Sequence, residues 1–146
     1  MNTISKVLLV IAGVGLASCQ SMRDAMPDWM PGSGAMKVNL SGSEEVPPLN
    51  VPGSGSGTLR VAEDGTITGS VTTKDVQGTM AHIHRGAKGT NGPVIVPLEK
   101  NGDTYTVPAG RKLTAEQLKD LKAGNLYVNV HTNRNKGGEV RGQLQP

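Results

Sequence analysis

The chain contains no phenylalanine, one tryptophan (Trp29) and two tyrosines (Tyr105 and Tyr127). Proteins that hold nucleic acid stack bases on aromatic rings or cluster Lys and Arg along the phosphates. Here 15 Lys and Arg are scattered among 12 Asp and Glu, and stacking platforms are missing. The composition argues against nucleic-acid binding. One cysteine, Cys19, allows no disulfide within a chain, so cross-links contribute nothing to stability. With so few rings, the expected core is Val, Ile and Leu without large aromatic anchors. The apolar run from Val7 to Leu16 falls short of the roughly 20 residues of a membrane-spanning helix. No serine stands in a G-x-S-x-G context, and no P-loop lysine follows Gly53-Ser54-Gly55-Ser56-Gly57. Hydrolase and nucleotide-binding signatures are absent, and that Gly/Ser string reads as a flexible loop.

The first residues have the form of a targeting segment. Lys6 precedes the short apolar run, and Leu16-Ala17-Ser18-Cys19 resembles a bacterial lipobox, cut just before a cysteine that is then lipidated. The expected organisation is a signal peptide over 1–18, a lipidated Cys19 with a tether over 19–36, and one domain over 37–146. Gln20 after the cysteine, where Asp is not found, implies the outer membrane, facing the periplasm or exterior. Pro27, Pro31, Gly32 and Gly34 break regular structure in the tether. It also carries Met22, Met26 and Met30, with Met36 beyond. Thioethers suit Cu(I), but two prolines prevent the helix that would align the sulfurs, which favours a plain spacer.

From Lys37 onward the pattern is all-β. Expected strands are Lys37 to Ser41, Thr58 to Val61, Thr66 to Thr73, Thr79 to His84, Pro93 to Leu98, Thr104 to Val107, Leu126 to His131 and Glu139 to Leu144. Gly42 to Gly57 reads as one irregular stretch, and Asp64-Gly65 and Asn101-Gly102 are turn signals. Thr114-Ala115-Glu116-Gln117 is a capping-box pattern that opens one short helix, with Gly124 as its stop. About eight short strands and one helix predict a Greek-key β-sandwich or barrel.

All three histidines fall in two of these strands, Met80-Ala81-His82-Ile83-His84 and Tyr127-Val128-Asn129-Val130-His131. Strand alternation sets His82 and His84 opposite Ile83, and His131 opposite Val128 and Val130. If the apolar faces form the core, the three imidazoles share the outer face, as a surface metal site requires. Three neutral imidazoles suit copper or zinc, and Met80, on the same face as His82, is a candidate axial thioether. Asn129 is a candidate to orient a ring. The competing reading is that the histidines tie strand ends to loops.

Several motifs together carry a family resemblance. Leu40-Ser41-Gly42-Ser43-Glu44-Glu45-Val46-Pro47-Pro48, Ala81-His82-Ile83-His84-Arg85-Gly86 and Asn91-Gly92-Pro93-Val94 occur in order. They are followed by Leu113-Thr114 to Leu121, Ala123 to Thr132, and Gly137-Gly138-Glu139-Val140-Arg141-Gly142-Gln143-Leu144. This series is similar to the CHRD (chordin-type) domain of bacterial secreted proteins, over roughly residues 37–145. A weaker similarity links His82, His84, His131 and Arg141 to the copper centre of Cu/Zn superoxide dismutase. There a His-x-His pair, a later histidine and an anion-guiding arginine occur in the same order. The chain lacks a fourth histidine, a run of zinc ligands and a cysteine pair, which excludes a full zinc–copper dismutase and leaves a copper-only centre open. The resemblance implies Arg141 as an anion guide; Glu139, on the same strand face as Arg141, joins Asn129 as a candidate to orient an imidazole. The expected role is copper binding, copper handling or superoxide-type redox chemistry. The alternative is a non-enzymatic interaction module that meets another envelope protein.

Overall fold

The computed structural model describes residues 35–146. The expected signal segment, Cys19 and the tether up to residue 34 lie outside the described residues. Nine strands and one helix follow in chain order. They are β1 (Ala35–Ser41), β2 (Ser54–Val61), β3 (Ile67–Lys74), β4 (Gly78–Arg85), β5 (Val94–Pro97), β6 (Glu99–Asn101), β7 (Thr104–Thr106), α1 (Ala115–Lys122), β8 (Leu126–Thr132) and β9 (Val140–Leu144). The expected all-β class and single helix are observed, with nine strands in place of about eight. Among the described residues, no helix is long and apolar enough to cross a membrane.

All nine strands form one antiparallel sheet in the order β5-β4-β8-β9-β1-β2-β3-β7-β6. The last strand, β9, returns beside the first, in the Greek-key manner. Chain connectivity requires this sheet to curl. Strands β3 and β4 are separated by four others in the sheet, about 24 Å if it were flat. Yet only Asp75, Val76 and Gln77 join them, a reach of about 14 Å. The sheet's two ends, β5 and β6, are consecutive in the chain, and Leu98 N–H between them donates to Ala81 O of β4 (3.0 Å). The result is a nearly closed barrel.

Alternation along the strands builds the interior. Met36, Val38 and Leu40 of β1, Leu59 and Val61 of β2, Ile67 and Val71 of β3, and Ala81 and Ile83 of β4 are buried in one cluster. Leu126, Val128 and Val130 of β8, with Val140 and Leu144 of β9, complete it. Met36 is thus a core residue and no part of a methionine arm. The expectation of a core without aromatic anchors is corrected: Tyr105 sits in the cluster at 0% exposure, and Tyr127 is 1% exposed on the other side of the sheet. Tyr105 faces inward between Thr104 and Thr106, and its hydroxyl lies where a Gly78 side chain would be.

The Gly/Ser string is corrected as well. Ser54 to Gly57 are the first half of β2, paired to β1 and β3 on both sides. Glycine is required there by close packing: a Cβ on Gly57 would stand 2.2 Å from Ser70 O and 2.6 Å from Val71 Cα. The helix begins as its sequence dictates. Gln117 N–H donates to Thr114 Oγ1 (3.2 Å), and Thr114 N–H donates to Gln117 Oε1 (2.9 Å). Arg85, one residue after His84, clamps α1 to β4 through Asp120 (2.7 Å) and Glu116 (2.9 Å).

Candidate metal centre

Strands β4 and β8 run antiparallel, with Met80 opposite His131, His82 opposite Asn129, and His84 opposite Tyr127. The register places His131 diagonal to His82 on one face, within reach of long side chains. Ring centroids are 4.9 Å apart for His82 and His131, 5.5 Å for His82 and His84, and 5.8 Å for His84 and His131. One nitrogen from each ring lies within 4.8 Å of the other two. The three histidines expected to meet do meet.

The expectation of a bare outer face is corrected. Every residue of β8 is buried, on both faces, because the segments 86–92 and 132–138 fold over the outer side. His84 is 7% exposed and His131 8%, while His82 is half-buried. The covering loops also fix the rings. His84 Nδ1 lies 2.9 Å from Gly92 O, and His131 Nδ1 lies 2.9 Å from Lys136 O. A carbonyl only accepts, so each Nδ1 carries the hydrogen and each Nε2 keeps its lone pair. The His84 Nε2 so freed is buried with no hydrogen-bond partner. His131 Nε2 accepts instead from His82 Nδ1–H (3.1 Å). His84 Nε2 and His131 Nε2 are thus the lone-pair nitrogens here, and His82 would have to move its hydrogen from Nδ1 to Nε2 before Nδ1 could join them in holding an ion.

Electrostatics favours neutral rings. Burial first, then the neighbouring His131 and His84, hold the His82 pKa below the usual histidine range. Burial likewise lowers that of His84. The Gly92 carbonyl opposes the shift, and His131 and Arg141 add to it. Neutral imidazoles have a lone pair to give a metal at neutral pH, and they form the ligand class that copper and zinc prefer.

Behind His84 the packing is layered. The Tyr127 ring stacks on the His84 imidazole, with centroids 4.9 Å apart and 10° between planes. The Arg141 guanidinium lies 3.5 Å from the Tyr127 ring centroid. Tyr127 Oη also accepts from Gly92 N–H (3.1 Å), so the residue that holds His84 is itself held by Tyr127. Only glycine fits at position 92, where a Cβ would lie 1.7 Å from Arg85 O.

The other expected residues are placed differently. Arg141 is on the expected face but is 1% exposed, and it donates to Ala87 O (3.1 Å), Gln143 Oε1 (3.3 Å) and Asn91 Oδ1 (3.4 Å). An arginine committed to these partners beneath a loop does not stand at the surface to receive an anion. Met80, 51% exposed, sits opposite His131. Asn129 and Glu139 do not bond the imidazoles. Asn129 Nδ2 donates to Gly137 O (3.2 Å). Glu139 Oε2 accepts from Thr132 Oγ1 (2.7 Å) and Asn135 Nδ2 (3.0 Å). Both secure the 132–138 loop. The residues that sequence reasoning passes over are Tyr127 and the carbonyls of Gly92 and Lys136. Alternation with His131 gave a signal for Tyr127; a backbone carbonyl leaves none.

No curated protein and no solved structure matches this chain. The family model of the CHRD domain matches residues 36–144, from the first core residue of β1 to the last of β9. That span includes all three histidines and both covering loops, and the chain belongs to the CHRD-domain family.

Proposed function

We propose that this CHRD-domain chain binds a transition metal through His82, His84 and His131, with copper preferred over zinc. The observation that carries the reading is His84 Nε2, a buried acceptor without a partner, converging with nitrogens of two other imidazoles. A buried polar atom left unsatisfied costs about 1–3 kcal/mol, and a metal ion would remove that cost. Copper ranks above zinc in intrinsic affinity for such sites, and Met80, opposite His131, would add a soft thioether suited to copper. The role is copper handling ahead of superoxide-type redox chemistry, because Arg141 is occupied behind Tyr127. The chain works in the cell envelope, anchored by lipid on Cys19 at the outer membrane. The lipobox-like Leu16-Ala17-Ser18-Cys19 and the following Gln20 support that placement.

The experiment is titration of the full chain with Cu(II), Cu(I) and Zn(II), repeated with all three histidines replaced by alanine. One-to-one binding that vanishes in the triple variant supports the reading. Absence of binding, or binding unchanged in the variant, overturns it. A non-enzymatic interaction module would then be favoured, for which, among the described residues, Met80 and Val94 are the exposed large apolar side chains (51% and 47%).

A further inference from the structure

No anionic group joins the three imidazoles. Among the described residues, their cluster takes in no carboxylate and no thiol. Acidic side chains on neighbouring elements are committed elsewhere. Asp120 pairs with Arg85 (2.7 Å), and Glu139 accepts from Thr132 Oγ1 (2.7 Å) and Asn135 Nδ2 (3.0 Å). Met80, opposite His131, is a neutral thioether.

A cation stands behind the centre instead. The Arg141 guanidinium lies 3.5 Å from the Tyr127 ring centroid, and that ring stacks on His84 with centroids 4.9 Å apart. Its charge is therefore at most about 8 Å from the centre of the His84 ring. Arg141 is 1% exposed, and its hydrogen bonds go to neutral acceptors, Ala87 O, Gln143 Oε1 and Asn91 Oδ1. Among the described residues, the ion pairs within 4.0 Å involve Arg85, Lys88 and Lys112, and none involves Arg141. The carboxyl that faces it is Glu45. Burial pushes the Glu45 pKa up to about 7, so near neutral pH it is only a partial counter-charge.

We infer that this centre selects monovalent copper, Cu(I), over Cu(II) and Zn(II), and that the charge of Arg141, which is not itself a ligand, sets the preference. The inference rests on the metal-binding reading of the three histidines. Three physical effects act in the same direction. Taking an ion out of water costs more as its charge rises, and His84 and His131 are 7% and 8% exposed. Neutral imidazoles bring no negative charge to offset the second positive one. The fixed guanidinium repels a divalent ion twice as strongly as a monovalent one. At an effective dielectric of about 20, one further unit charge roughly 10 Å away changes a binding constant by about tenfold. The thioether of Met80 adds a donor of the class that favours Cu(I).

The test uses the full chain, kept free of oxygen and titrated separately with Cu(I), Cu(II) and Zn(II) against chelators of known affinity. The wild type should bind Cu(I) more tightly than either divalent ion. Arg141→Gln removes the charge, and its affinity for Cu(II) should rise about tenfold relative to Cu(I). Arg141→Lys keeps the charge and should keep the wild-type ratio, although it loses the guanidinium's hydrogen bonds. A purely structural role for Arg141 would weaken both copper ions alike in both variants. A wild type that binds Cu(II) or Zn(II) as tightly as Cu(I) overturns the inference, whether or not the variants fold. An unchanged ratio in a folded Arg141→Gln overturns it too. Failure of the wild type to bind any of the three ions overturns the metal reading itself, and this inference with it.

Discussion

Tyr127 and His84 lie face to face, 10° from parallel, with Arg141 against the far side of the tyrosine. The stack makes His84 the most constrained of the three histidines, held at Nδ1 by Gly92 and across its ring by Tyr127. Replacing Tyr127 with Phe keeps the stack but removes the acceptor for Gly92 N–H, with an expected loss of about 1–3 kcal/mol. Tyr127→Ala removes both, and the expected loss is about 3–5 kcal/mol. Denaturant unfolding measures each. Equal stability of the two variants would contradict this account of Tyr127.

His82 is the least buried of the three histidines, so His82→Ala separates the proposed metal binding from folding. Its metal-free stability should stay close to that of the wild type. Metal at 100 times its dissociation constant should stabilise the wild type by about 2.7 kcal/mol and the variant hardly at all. Thermal melts with and without Zn(II) test this, and an equal rise in both would place the ion elsewhere.

Two opposed pH effects are expected in the metal-free chain. His82 and His84 are held below the usual value of 6.5, so the unfolded state binds more protons, and stability falls as pH drops below 6.5. Glu45 is raised from 4.5 to about 7, so its contribution is complete below pH 4.5 and is lost as pH rises through about 7. Glu45→Gln should abolish the second loss alone. Unfolding free energies from pH 4 to pH 9 in both chains would reveal it; parallel curves would rule it out.

Glycines should divide by what surrounds them. Gly57→Ala forces a Cβ against Ser70 O inside the sheet, and a loss of about 1–3 kcal/mol is expected. A Cβ on Gly137, in the covering loop, meets nothing within 4 Å, and Gly137→Ala should be close to neutral. Chemical denaturation distinguishes the two, and similar losses would show that packing does not set the requirement at position 57.

Local rules made much of the molecule readable. The alternation through His82-Ile83-His84 and Val128-Asn129-Val130-His131 placed the histidines on one face, and Thr114 with Gln117 announced the helix. Ser54 to Gly57 misled because composition speaks for flexibility, while their strand character comes from neighbours distant in sequence. The burial of the imidazoles was hidden for a related reason: it depends on loops 86–92 and 132–138 folding back. Arg141 looked available until Tyr127, Ala87 and Gln143 were seen around it.

The near closure of the barrel bears on self-association. An open sheet offers unpaired N–H and C=O groups to which another chain can add a strand. Here the two terminal strands have only four and three residues. Pro97 on β5 has no N–H to donate, and β6 carries Glu99 and Lys100, all three of its residues exposed. Copies crowded at high local concentration would find little edge on which to nucleate aggregates. Loops and side chains therefore offer a partner of this domain more than the two short strand edges do.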